Sequence, residues 1–119
     1  ARDLARALTK LSLFEEHTLR AFADSDVVLT PGLAVEAPRI GFYNYDDPME
    51  NFRQQVQVTP FSSFVNVCGL PALALPVTST AQGVPVGVQL IGKPGSEATL
   101  ISLAAQLEAG IGWGQSPNL

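Results

Sequence analysis

Apolar positions change period several times along the chain, and each change marks an element. Leu4, Leu8, Leu11 and Phe14 recur at steps of three and four, one face of a helix over about residues 2–24. Neither Gly nor Pro interrupts that stretch, and Asp24-Ser25-Asp26 breaks it. Val27-Val28-Leu29 is short, β-branched and apolar, which predicts a buried strand closed by the turn chemistry of Thr30-Pro31-Gly32. Residues 31–48 are rich in Pro, Gly, Asn and Asp and read as an extended loop carrying Phe42, Tyr43 and Tyr45. A loop this long is either functional or a surface excursion, and the pattern leaves both open. Residues 49–57 predict a short helix.

The second half is more sharply punctuated. Thr59 suits an N-cap and Pro60 the first helical position, so a buried helix is expected over about 60–68. Phe61, Phe64, Val65 and Cys68 fall on one face of it, Gly69 stops it and Pro71 prevents its continuation. Leu73, Leu75 and Val77 alternate as in a strand, with Pro76 implying an edge or a strand end. Val86, Val88 and Leu90 give a second strand, and Gln82-Gly83 is the turn signal of a hairpin joining the two. Ser96 reads as the N-cap of a last helix, with Glu97 at the positive end of its dipole. Leu100, Ala104, Leu107 and Ile111 share one face of that helix, Gly110 and Gly112 end it, and Trp113 to Leu119 read as a surface tail. The pattern as a whole predicts an α/β fold in which helices cover a small mixed β-sheet.

Composition bounds this picture without changing it. A chain of 119 residues has room for one modest domain. With 46% hydrophobic and 15% charged residues it is not a disordered chain, and it fits a self-sufficient domain and a piece packed on more protein equally well. The chain opens at Ala1, and a trimmed or excised segment is expected. A net charge of −4 with no basic cluster argues against a nucleic-acid partner. No apolar run is long enough for a membrane span. One cysteine, Cys68, excludes an internal disulfide, and with His17 the only histidine no zinc-ligand spacing appears. We expect no cofactor, no metal and a cytoplasmic setting.

Candidate nucleophiles all have plainer readings. Ser62-Ser63 sit in the first turn of an apolar helix with no base in evidence, where hydroxyls suit a helix start. Cys68 lies on the apolar face of its helix near the C-terminal end and reads as a packed core cysteine. His17 lies between Glu16 and Thr18 on the first helix and reads as a surface residue. Gly110-Ile111-Gly112-Trp113-Gly114 follows a helix rather than a strand, unlike a nucleotide loop. The carboxylate pairs Glu15-Glu16 and Asp46-Asp47 are adjacent in sequence and read as solvated.

One stretch carries a resemblance. Asn66-Val67-Cys68-Gly69-Leu70-Pro71-Ala72 leads into a strand; Gly83-Val84-Pro85-Val86-Gly87-Val88-Gln89 and Glu97-Ala98 follow. In that order and spacing, with Asp26 to Pro31 upstream, they resemble the C-terminal region of the amidase-signature family, most specifically over residues 59–108. The resemblance implies amide hydrolysis through a serine nucleophile, a bridging serine and a lysine base. It places them in a Gly/Ser-rich signature and a lysine strand that this chain lacks. Lys10 and Lys93 match neither context. The chain is then expected to be inactive alone, a single domain or fragment (residues 1–119) whose partners are the remainder of an amidase domain and, in the parent enzyme, a small amide substrate. Thr59, Phe61 and Phe64 would approach the acyl side of the site as a pocket wall, or simply pack the core. The tRNA-linked amidotransferase branch carries an acid just before this segment. Gln54-Gln55-Val56-Gln57-Val58 has none, so a general amidase for an uncharged or apolar amide is expected. An incomplete sheet would also self-associate into a homo-oligomer. The alternative is a non-catalytic interaction module built on an amidase fold.

Overall fold

The computed structural model describes residues 1–112, so the expected surface tail from Trp113 lies outside the described residues. Its elements follow in the order α1 (Arg2–Ala21), β1 (Val27–Pro31), α2 (Pro48–Val58), α3 (Ser63–Val67), β2 (Ala72–Ser79), β3 (Pro85–Gly92) and α4 (Glu97–Ile111).

The three strands form one sheet in the order β1-β3-β2. The α/β class stands, but the expected mixed sheet is here antiparallel at both pairings. The reason is connectivity. β2 and β3 are a hairpin whose loop closes on itself: the Thr80 N–H donates to the Val84 carbonyl at 2.8 Å, and Gly83 takes a φ of 83°. β1 then lies on the free side of β3, with Val28 opposite Ile91 and Thr30 opposite Gln89. Pro76 falls on the edge strand of this sheet beside a register shift at Pro76/Thr78, the position a residue without an N–H tolerates.

Alternation along β3 sends side chains to two separate cores. On one face Leu90 packs with Leu75, Leu100 and Ala104, so α4 covers the hairpin. On the other Ile91 packs with Val65, Cys68 and Leu70, joined by Leu19, Phe22, Val28 and Phe64. Leu90, Ile91 and Leu100 are 1%, 0% and 2% exposed, and no polar side chain is buried with them among the described residues. α3 ends in a full C-terminal lock. Gly69 adopts φ 60°, its N–H donates to the Asn66 carbonyl, and the Leu70 N–H donates to the Val65 carbonyl at 3.0 Å. At Gly87 a Cβ would lie 3.1 Å from the Leu75 carbonyl oxygen, a tight contact that glycine avoids.

Three expected helix boundaries shift. α1 stops at Ala21 rather than near 24. The helix expected from Pro60 begins at Ser63, and Thr59 closes the helix before it. Its N–H and its hydroxyl both turn back to the Gln55 carbonyl, at 2.9 Å each. α2 is capped at its start by Asp47, whose carboxylate accepts from the N–H groups of Met49 and Glu50 with Pro48 in the first turn, and its last turn takes both donors of Thr59. Gly110 lies within α4, whose last residue is Ile111 and whose C-cap is Gly112 with φ 71°. Ser96 does hold the N-cap position, but its hydroxyl donates to the Lys93 carbonyl at 2.7 Å instead of capping the first turn.

The body is open. Its radius of gyration is 17.2 Å, where a compact chain of this length would have about 13.5 Å. It exposes 8726 Å², against about 6,200 Å² for a compact monomer of 12.6 kDa. The apolar stripe of α1 is the plainest part of that surplus. No residue of α1 is buried, and Leu4, Leu8, Leu11 and Phe14 all face outward. Only its C-terminal end, through Leu19 and Phe22, joins the core.

Candidate functional site

The residues singled out as a pocket wall separate into two roles. Phe64 belongs to the core: it packs edge-on against Phe22 with ring centroids 6.1 Å apart. Phe61 is half-buried, and its carbonyl accepts from Gln89 Nε2 at 3.0 Å. The same amide lies 3.4 Å from Thr30 Oγ1, so Gln89 ties the turn after α2 to both β1 and β3. Thr59 lines a cleft of about 250 Å³ that it shares with Tyr43, Tyr45 and Gln55.

The loop before α2 supplies the other wall of that cleft, and Gln54 holds it. Its Oε1 accepts from the Asn44 N–H at 2.8 Å and its Nε2 donates to the Phe42 carbonyl at 3.2 Å. Asn44 Oδ1 in turn accepts from the N–H groups of Asp46 and Asp47, at 3.0 and 3.1 Å. The Phe42 and Tyr43 rings meet edge-on at 5.3 Å. The four lining side chains are two phenols, an amide and a hydroxyl, with no charge among them. A more apolar groove of about 540 Å³ runs between residues 31–37 and the Thr80 to Gly87 end of the hairpin.

Sequence reasoning missed Gln54 because both its partners lie ten or more residues away. The only available signal was its place opposite the aromatic loop. Nucleophilic chemistry is not assembled among the described residues. Cys68 is buried in the core beneath α3, while His17 is exposed on α1. Ser62 occupies the N-cap of α3 and Ser63 begins it, and neither hydroxyl has a histidine, lysine or carboxylate as a hydrogen-bond partner among the described residues. Lys93 is committed elsewhere, its ammonium donating to the Ala23 carbonyl at 2.9 Å. Lys10 lies on the exposed surface of α1. Glu50 and Arg53 form an exposed pair on α2. The Arg53 guanidinium hydrogen-bonds the Glu50 carboxylate and lowers its pKa, and the carboxylate raises that of Arg53.

A family model for amidases matches residues 2–101. The chain belongs to the amidase family. This amidase segment is 41% identical over 92 residues to "Putative amidase AmiB2" of Mycobacterium tuberculosis, covering 77% of this chain and 20% of that protein. It is 39% identical to a glutamyl-tRNA(Gln) amidotransferase subunit of Methylocella silvestris over 104 residues, 87% of this chain and 20% of the relative. Among solved structures it superposes on 6-aminohexanoate cyclic dimer hydrolase with a TM-score of 0.83 at 28% identity, covering 95% of this chain and 25% of that one. The amidase segment thus spans only about a fifth to a quarter of the relatives it matches. No described helix is long and apolar enough to cross a membrane.

Proposed function

We propose that this segment is the C-terminal part of a serine amidase domain that hydrolyses the C–N bond of a carboxylic amide. The Ser-Ser-Lys triad lies upstream of residue 1, and the segment contributes core and pocket wall but no catalytic group. One observation carries this reading: the family match runs over residues 2–101, yet the chain spans only 20–25% of its relatives. The surplus exposed surface fits a body cut from a larger one, since apolar faces such as the α1 stripe call for a cover. On this reading that cover is the remainder of the amidase domain.

Thr59, with Phe61 and Phe64 behind it, forms the wall nearest the substrate, and the uncharged cleft beside it suits an uncharged amide. The setting is the cytoplasm, where the lone thiol of Cys68 stays reduced. A serine-reactive fluorophosphonate applied to the longer polypeptide tests the assignment. The labelled serine is expected upstream of residue 1. Labelling of Ser62 or Ser63 would overturn it, and no labelling of the longer chain would favour a non-catalytic interaction module.

A further inference from the structure

Gln54 spends both ends of its amide on the backbone flanking Tyr43: Asn44 N–H on one side, the Phe42 carbonyl on the other. Asn44 passes the restraint on to Asp46 and Asp47, and Asp47 caps α2. The aromatic loop is therefore fastened to α2 at both its ends, through Gln54 and through the cap. Tyr43 and Tyr45 sit on either side of the fastened residue, facing Gln55 and Thr59 across the cleft. Within the loop, Asn44 and the Phe42–Tyr43 ring contact shape the turn; Gln54 is what ties that turn to α2 beside the two phenols.

We propose that Gln54 is a positioning residue that shapes this cleft into a specificity subsite for an uncharged, hydrogen-bonding arm of the amide substrate. The inference rests on the amidase reading above. None of the four lining side chains offers a counter-charge to an ionised arm. An alkyl arm would cover the phenol and threonine oxygens without pairing them. A neutral hydroxyl or amide meets both conditions.

The test uses the full-length amidase carrying this segment. Gln54→Met keeps the length of the side chain and removes both hydrogen bonds. The probes are two amides with acyl arms of equal length, one ending in a hydroxyl and one in a methyl. The unmodified enzyme is expected to prefer the hydroxyl arm. In Q54M the KM for that arm should rise about five- to tenfold with kcat within about twofold, and the methyl arm should be unaffected. Gln54→Glu, which keeps the acceptor for Asn44, should restore part of the preference. Hydrogen exchange at the Asn44 amide should accelerate in Q54M and less so in Q54E. Accelerated exchange with unchanged selectivity would overturn the proposal, since the loop would then be freed without consequence for the substrate. An equal fall in kcat for both arms would overturn it too, as the mark of a merely structural role. A full-length protein that hydrolyses neither amide and whose serines also resist the fluorophosphonate would instead remove the amidase reading itself, and this inference with it.

Discussion

Replacing Leu8 and Leu11 by glutamine strips the middle of the exposed stripe on α1 while keeping good helix formers there. Leu8 and Leu11 are 55% and 48% exposed. Burying the exposed half of each in a self-associated state contributes about 1 kcal/mol apiece. In a self-associated pair both copies lose both leucines, four in all, which should weaken association by about 4 kcal/mol, roughly a thousandfold in the dissociation constant. The surface available is ample: the excess over a compact monomer, about 2,500 Å², exceeds the roughly 1,600 Å² of a standard protein interface. Because no residue of α1 is buried, the cores around Leu90 and Ile91 should survive the change. Sedimentation velocity across a concentration series reads the association, and thermal unfolding by circular dichroism reads the cores. The unmodified segment should associate and bind an apolar dye; L8Q/L11Q should do less of both, with its unfolding midpoint within a few degrees. A monomeric, dye-silent parent segment at high concentration would refute the reasoning. So would a double variant that no longer folds.

Two glycines should respond to alanine with opposite signs. Gly69→Ala forces a side chain into the left-handed region, with nothing within 4 Å to blame on packing, and should cost about 1–2 kcal/mol. Gly69→Asn should recover much of that. Gly110→Ala, inside α4 and also with open space around it, should stabilise by about 0.5–1 kcal/mol; denaturant midpoints check all three. Leu90→Ala empties the centre of the sheet–α4 core and should destabilise by about 2–5 kcal/mol in equilibrium unfolding. The Glu50–Arg53 pair sets a pH dependence of small size. Because Arg53 lowers the folded pKa of Glu50, its contribution is present above the ordinary carboxylate range and is lost as pH falls through the lowered value. Carboxyl titration by NMR should show Glu50 below its value in Arg53→Gln, and an identical titration would refute the pairing.

What was legible in the sequence was what local pattern controls. The Leu100–Ala104–Leu107 face of α4 packs on the sheet as its spacing predicts, while Ile111 at its end stays half exposed. Gly69 ends its helix for the reason its position implied, and Gln82-Gly83 turns the hairpin. What was not legible depends on competition or distance. Thr59 suits a helix start and a helix end alike, and its N–H and hydroxyl, both turned to the Gln55 carbonyl, place it at the end of α2. Gly110 reads as a stop, but the better stop two residues later lets the helix run on. The antiparallel placement of β1 comes from pairing across some sixty residues, between Val28 and Ile91, which no local period reports. The site shows the same division. Thr59 was reachable through the motif around it, whereas Gln54, acting on Phe42 and Asn44, was not. The α1 stripe was correctly legible as a helix face and silent about what covers it.

This segment belongs to an amidase, and we propose that it cuts no amide by itself. Amide turnover measured side by side on the 119-residue chain and on the longer polypeptide that contains it tests this most directly. Hydrolysis by the longer chain, abolished by a serine-reactive inhibitor, is expected, with none above background from the segment. Turnover by the segment alone, lost in Ser62→Ala or Ser63→Ala, would contradict it.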